Sequence, residues 1–367
     1  MSDSMIFAPK PKQGEPWDVA IIGSGPAALT AAIYTTRGAA STLILGGYKW
    51  GGQLMLTTTI ENFPGFPEGV LGPDLMAHMR AQAERFGAEF VEKDVEGVTF
   101  DKRPFELIAD GVTYLAKSVI IATGADTTWL NVPGEQKLIG RGVSSCAPCD
   151  APFFKDKKVA VIGGGDAAME EVVVLSKYTD QLFLIHRRDE LRASATMQAR
   201  IFALEKSGKL TIIWDTEVSE FIGDQKLESL QLKTNVNTSH GTYLKSEGIG
   251  KLGGVVKEEK DGNILWNFKL DGTFVAIGHT PATHPFLGKV TMDEKGYIQK
   301  MPQETLQMTN GGNHTHYNSE TNKPGVFVAG DVQDYTYRQA ITASGFGCQA
   351  GLDVLKFLDK DDMVWSS

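Results

Sequence analysis

The stretch "DVAIIGSGPAALTAAIYTTRG" (residues 18–38) opens with an apolar run too short for a helix before it meets glycine, and an amphipathic stretch follows. Read as strand, tight turn and helix, it fills the pattern G-x-G-x-x-[GA] with Gly23, Gly25 and Ala28. Gly23 permits the turn, Gly25 lets phosphate groups approach the backbone, and Ala28 lets helix and strand pack closely. Pro26 and Ala27 open the helix. Its N-terminus then points at a pyrophosphate, because unpaired N–H groups and the helix dipole favour negative charge there.

The pattern recurs in "KVAVIGGGDAAMEEVVVLSKY" (158–178), with Gly163, Gly165 and Ala168, and with Asp166 and Ala167 at the helix start. One such motif is weak evidence. Two, each after a Val/Ile strand and before a helical pattern, point to an α/β protein with two Rossmann-like nucleotide-binding domains.

The residues that follow the two motifs differ. An acidic residue about 20 positions on would hold a ribose hydroxyl. After the first motif comes "STLILGG" (41–47), with no acid. After the second comes "LFLIHRRDELRAS" (182–194), where His186, Arg187 and Arg188 stand at the strand end and Arg192 lies beyond. Guanidinium groups fork a phosphate in two parallel hydrogen bonds, so this cluster suits a 2′-phosphate and selects NADPH over NADH.

Two further strands end in glycine turns: "SVIIATGA" (118–125) and "PGVFVAGDVQD" (324–334), the latter at Gly330-Asp331. An Asp in that position bonds a sugar or ribitol hydroxyl while the turn stays tight. "YRQAITASGFGCQAGLDVLKFL" (337–358) then reads as a helix with small residues along one face. The first fold is therefore expected over 1–132 and again over 274–367, with the second inserted as 133–273. Gly and Pro in "NVPGE" (131–135) and near "LDGTFVAIGHTP" (270–281) mark the crossings.

Composition narrows the function classes. Net charge is −9 over 367 residues, which argues against nucleic acid or an anionic membrane as partner, since phosphate binding needs surplus Lys and Arg. No apolar run reaches membrane-spanning length, and "MSDSMIFAPKPKQGEP" (1–16) reads as a polar tail without secretory features. Three cysteines do not make a secreted disulfide scaffold, so a reducing, cytoplasmic compartment is expected. Two of them, Cys146 and Cys149, lie in "SSCAPCDAPFF" (144–154), followed at once by Asp150. From spacing alone the pair is a metal knuckle, a structural disulfide or a redox centre. A zinc site would need two more ligands. Cys348 is far along the chain, and His314 and His316 stand on a loop, so no metal is expected.

Taken in order, these motifs with "GGQL" (51–54), "TTTIENFPGFPEGVLGPDLM" (57–76), "CAPCD" and "AIGHTP" (276–281) resemble the low-molecular-weight thioredoxin reductases of the flavoprotein pyridine nucleotide-disulfide oxidoreductase superfamily. The resemblance runs from about residue 17 to 359. It implies a homodimer with FAD in the first fold, NADPH in the inserted one and the Cys146–Cys149 disulfide as relay to thioredoxin. Other ends to the same electron path are a different thioredoxin-like protein or an O2-dependent dithiol oxidation. By motif position, the resemblance implies FAD contacts from Gly52, Gln53, Leu54, Asn62, Val95, Gly330 and Asp331, with Arg338, Gln339 and Ala340 near the isoalloxazine. It also implies that Cys149 faces the flavin, that Cys146 meets the partner sulfur, and that Asp150 moves the proton of a leaving thiolate.

The chain departs from the family pattern in five places. The acid after the first motif is missing, Pro148 and Ala151 replace the more usual Thr or Val and Gly, and the loops 234–262 and 302–322 are expanded. Cys348 reads as a buried small hydrophobe. Phe153 and Phe154 read equally as core and as an apolar rim for a docking protein.

Overall fold

The structure, a computed structural model, describes residues 8–57, 59–302, 305–307, 313–315 and 317–365, with side chains outside 303–316 and 361–365. The start of the polar tail and the side chains of His314 and His316 lie outside the described residues. The chain divides into two units, Met1–Asp126 with Thr280–Ser367, and Thr127–His279. The divisions fall at 126/127 and 279/280 rather than at 132/133 and 273/274, because the two crossing backbones run side by side. On one side Ala282 N donates to Gly124 O at 3.0 Å, and on the other Thr128 N donates to Gly278 O at 3.0 Å. The Pro and Gly of "NVPGE" therefore lie inside the inserted unit.

In the first unit Trp17–Ile22 runs parallel between Thr42–Leu45 and Val112–Ile121, and Glu89–Val91 adds beyond Thr42–Leu45. The ten-residue strand Val112–Ile121 divides its other edge. Its first part pairs antiparallel with Phe105–Ala109, and its last residues pair parallel with Val326–Val328. The core of Trp17–Ile22 is buried on both faces, with Val19, Ala20 and Ile21 fully enclosed. That is why it reads as an unbroken apolar run rather than an alternating one.

One face is covered by the helices Pro26–Arg37, Gly72–Arg85 and Ala340–Trp365. The small residues of the last helix have a steric cause. A Cβ at Gly347 would lie 2.1 Å from the Ala27 carbonyl oxygen, so only glycine lets this helix reach Pro26–Arg37. Cys348, beside it, is half-buried rather than enclosed, with its thiol against the Tyr34 hydroxyl.

The inserted unit carries a five-stranded parallel sheet in the order Val143–Ser144, Gly272–Val275, Val159–Ile162, Leu182–Ile185, Leu210–Ile213. A four-stranded antiparallel sheet, Thr216–Ile222, Ser229–Asn235, Asn263–Lys269 and Val255–Lys260, packs its Trp266 and Phe268 into the same core as Ile162 and Val275. The stretch 234–262, expected as a loop, is structured: it forms the helix Ser239–Tyr243, a π-helical turn Leu244–Gly248 and the edge strand Val255–Lys260.

Gly347→Ala is expected to destabilise the protein by about 1–3 kcal/mol through overpacking. At Gly345 a Cβ would meet nothing within 4 Å, so Gly345→Ala should be neutral or stabilising in the same helix. Denaturant unfolding of the two variants distinguishes them, and equal midpoints would contradict the close approach.

Candidate functional site

The first glycine turn is fixed by its neighbour strand. Gly23 has φ +117°, and a Cβ there would lie 2.2 Å from the Ala122 carbonyl oxygen. At Gly25, by contrast, a Cβ would meet no atom within 4 Å. That open space belongs to a cleft of about 640 Å³ within the first unit. Gly23, Gly25, Pro26 and Ala27 form one wall. Gly52, Gln53, Leu54 and Val95 line another part, and Gly330, Asp331, Arg338, Gln339 and Ala340 close it. Asn62 is not among the lining residues, but its Nδ2 donates to Gln339 Oε1 at 3.3 Å.

One group in this cleft bears on what it holds. Asp331 Oδ1 is buried without a hydrogen-bond partner among the described residues. Burial pushes its carboxyl up to about 7, with Asp334 adding to the rise and Arg338 opposing it. An unpartnered buried acceptor beside a glycine turn fits a hydroxylated ligand chain, whose O–H groups would satisfy it. Together with the room over Gly25, it fits FAD. The turn behind Asp331 is built by Asp334, which the sequence reading missed. Its carboxylate accepts the N–H groups of Thr336 at 2.9 Å, Tyr337 at 3.2 Å and Arg338 at 3.4 Å, and so holds Arg338 at φ +48°.

In the inserted unit the second glycine turn repeats the first. Gly163 has φ +155°, and a Cβ would lie 2.4 Å from the Ala276 carbonyl oxygen, while Gly165 faces open space. Asp166 and Ala167 begin the helix Asp166–Leu175, and Asp166 Oδ1 accepts both the N–H and the hydroxyl of Ser194, at 2.9 and 2.8 Å. Arg187, Arg188 and Arg192 are exposed near this turn, and Arg192 N donates to Gly164 O at 2.7 Å. His186 differs from them. It is 4% exposed, and its ring faces the backbone carbonyls of Glu190 and Gly163, the former at 2.8 Å from Nε2. Burial lowers its pKa while those two carbonyls oppose the fall, and the buried ring braces the turn.

Cys146 and Cys149 are joined by a disulfide across the one-turn helix Ala147–Asp150, with a Cα–Cα distance of 5.3 Å. The N–H groups of Cys149 and Asp150 both donate to Cys146 O, at 3.2 and 3.1 Å. Ser144 Oγ accepts the Cys146 N–H at 3.1 Å, so its own proton goes to Asp150 Oδ2, 2.6 Å away. Burial raises the Asp150 carboxyl above its ordinary value, and the Ser144 bond opposes that rise. The Ala147 N–H donates to the Glu171 carboxylate from the helix Asp166–Leu175. Ser144 and Glu171 were not singled out from sequence, and only the Ser two residues before a Cys offered a signal. The adjacent phenylalanines divide their roles. Phe154 packs on Phe274 with centroids 5.3 Å apart, and Phe153 remains 38% exposed. Among the described residues no group of three or more His, Cys, Asp or Glu is placed to hold a metal ion.

Comparison with known proteins agrees with this arrangement. Residues 17–347 match the model of the pyridine nucleotide-disulphide oxidoreductase family. The chain is 45% identical over 344 residues to a thioredoxin reductase of Streptomyces coelicolor, covering 93% of this chain and 94% of that protein. It is 42% identical to one from Coxiella burnetii, covering 92% and 95%. Among solved structures, thioredoxin reductase from Giardia duodenalis matches with a TM-score of 0.77 at 34% identity, covering 94% of this chain and 99% of that one. The Streptococcus pyogenes enzyme matches at 0.78 and 32%, covering 94% and 98%. The two glycine turns, the cleft and the disulfide thus sit in a chain that belongs to the pyridine nucleotide-disulphide oxidoreductase family.

Proposed function

We propose that this enzyme, an NADPH-dependent flavoprotein disulfide reductase, reduces thioredoxin or a thioredoxin-like protein through Cys146 and Cys149. The observation that carries the reading is the Cys146–Cys149 disulfide closed over a short helix, with a half-buried Asp150 at its end whose carboxyl burial raises above its ordinary value. Bound FAD supplies the two-electron chemistry between NADPH and the disulfide. In the reduced pair, Cys146 as thiolate attacks one sulfur of the partner disulfide, forms a mixed disulfide and releases the other sulfur as a thiolate. Cys149 then attacks Cys146 and frees the second partner sulfur. Each released sulfur takes up one proton, so the partner gains two electrons and two protons while Cys146–Cys149 closes again. Asp150 Oδ2 accepts the Ser144 hydroxyl, so Oδ1 is the oxygen at which this carboxyl would take up or give a proton. Phe153, exposed beside the pair, offers the partner an apolar edge.

The same reading has Arg187, Arg188 and Arg192 holding the 2′-phosphate of NADPH, with the pyrophosphate on the Gly163–Gly165 turn and the helix that starts at Asp166 and Ala167. In the first unit, Asp331 meets the ribitol hydroxyls, and Gln53, Asn62, Arg338, Gln339 and Ala340 flank the ring. The working form is a homodimer in a reducing, cytoplasmic compartment. No helix among the described residues is long and apolar enough to cross a membrane. Steady NADPH consumption with the organism's own thioredoxins tests the partner, and sedimentation tests the dimer.

Replacing Arg187 and Arg188 together is expected to raise KM for NADPH by tenfold or more, since each charge-assisted phosphate bond is worth about 1.5–3 kcal/mol. KM for NADH should barely move, and equal effects on both nucleotides would remove the arginines from the 2′-phosphate.

The two cysteines should fail differently. Cys149→Ser should keep flavin reduction by NADPH and lose transfer to the disulfide. Cys146→Ser should leave a Cys149 thiolate that gives a long-wavelength charge-transfer band with oxidised flavin. The opposite spectra would reverse the two assignments.

The raised Asp331 carboxyl makes a prediction for protein stripped of flavin. Its folded pKa of about 7 lies above the unfolded value, so the folded state holds a proton that the unfolded state has lost. Stability is then full below about pH 4 and falls as pH rises toward 7, by about 1.4 kcal/mol per unit of separation. Asp331→Asn should flatten that fall in the apoprotein while weakening FAD binding. Thermal unfolding across pH 4–8, with a flavin titration, measures both.

A further inference from the structure

The first glycine motif lacks the acidic residue that holds the adenosine ribose in dinucleotide folds, and the structure shows why none can stand in the usual place. That place, at the end of Thr42–Leu45, is Gly46. A Cβ there would lie 2.3 Å from Phe90 Cζ and 2.6 Å from its Cε1. Phe90 is locked in turn. The Arg80 guanidinium sits 3.8 Å above its ring, Trp50 meets it edge-on at 6.0 Å, and Arg80 is held by Glu84 at 2.9 Å and Glu92 at 2.7 Å. An acidic side chain at 46 would have to displace this whole stack.

The space is served from the neighbouring strand instead. Past Thr42–Leu45 and Glu89–Val91 the two backbones stay zipped: Gly46 N donates to Val91 O at 2.9 Å, and Gly47 N to Lys93 O at 3.2 Å. That pairing brings Asp94 beside Gly47, where its Oδ1 accepts the Tyr48 N–H at 3.2 Å. Its Oδ1 also fills the space of a side chain at Gly47, where a Cβ would lie 2.7 Å away. Three carboxylates line the cleft among the described residues. Asp126 accepts from Gln53 at 2.9 Å, and Asp331 stands past the distant strand Val326–Val328. Asp94 alone stands at the Gly46–Gly47 end, with Oδ2 making no hydrogen bond to a described residue. Lys49, the other charged side chain there, only donates and cannot accept a ribose hydroxyl.

We infer that Asp94 is the residue that binds the adenosine ribose of FAD, a task moved one strand over because Phe90 occupies the usual site. The inference rests on FAD being the occupant of this cleft and adds the residue that recognises its adenosine end. One oxygen is fixed by the Tyr48 N–H and the other accepts the ribose hydroxyls, in charge-assisted bonds.

The test is flavin affinity, read by fluorescence on deflavinated protein titrated with FAD, with FAD carrying 2′-deoxyadenosine, and with FMN, which lacks adenosine. The wild type should prefer FAD over the deoxy analogue by about tenfold, and Asp94→Ala should weaken FAD by about tenfold and bind both forms equally, with FMN unchanged. Asp94→Asn keeps an oxygen for the Tyr48 N–H, so it preserves the turn while losing the charge. It should also lose most of the preference. Undiminished discrimination in either variant, or an equal loss for FMN and FAD, overturns the assignment. A wild type that binds no FAD would instead overturn the cofactor of the cleft.

Discussion

Two carbonyl oxygens, those of Ala122 and Ala276, occupy the space where side chains at Gly23 and Gly163 would have to go. Each belongs to the end of a strand hydrogen-bonded in parallel to the one that precedes the glycine. The constraint is strict because it combines backbone with backbone: neither oxygen can move without breaking its sheet. With glycine there, the chain turns at once and sends the next helix off with its N-terminus over the strand ends. Gly25 and Gly165 then keep the space above those N-termini clear. The remainder of each site is a variation on this frame. The first unit completes it with a buried carboxylate at Asp331, the second with exposed arginines at 187, 188 and 192. A buried, unpartnered acceptor and a set of exposed guanidinium donors are opposite endings to one scaffold.

The legible part of this protein was the part ruled by local constraint. The two turns, the parallel strands before them and the Cys pair are written in consecutive residues, and each has a steric or chemical cause acting within a few positions. Asp94, Ser144, Glu171 and Asp334 were not legible, because each matters through what tertiary packing brings to it. The absent acid at Gly46 could be read as an absence, but Phe90, 44 positions later, supplies its cause. His186 reads as one of a run of cations. Only the fold shows its ring pressed against Gly164, where a Cβ would lie 2.1 Å from its Cε1. The stretch 234–262 reads as a loop because glycines at 241, 248, 250, 253 and 254 interrupt every period. In the structure Gly241 and Gly254 are instead close-packing positions, 1.8 Å from Asn235 O and 2.5 Å from Trp266 Cε3 for an added Cβ.

The departures around the Cys pair illustrate how a substitution is absorbed when the backbone already suits it. Pro148 stands in the first turn of the helix Ala147–Asp150, where an N–H has no intrahelical partner, so the missing donor costs nothing and the fixed φ matches the helix. The donors that remain in that turn are all taken: Ala147 by Glu171, and Cys149 and Asp150 by the Cys146 carbonyl. Ala151 adopts φ −53° and ψ −37°, an ordinary right-handed conformation, so the freedom of a glycine is not needed there, and its methyl is fully buried. Both replacements therefore remove freedom from the chain on either side of Cys149 without removing a bond. Asp150 is held between them with one oxygen on Ser144. A carboxyl group whose position is set in advance needs no reorganisation before it acts. Rigid flanks and a single fixed oxygen set that position here.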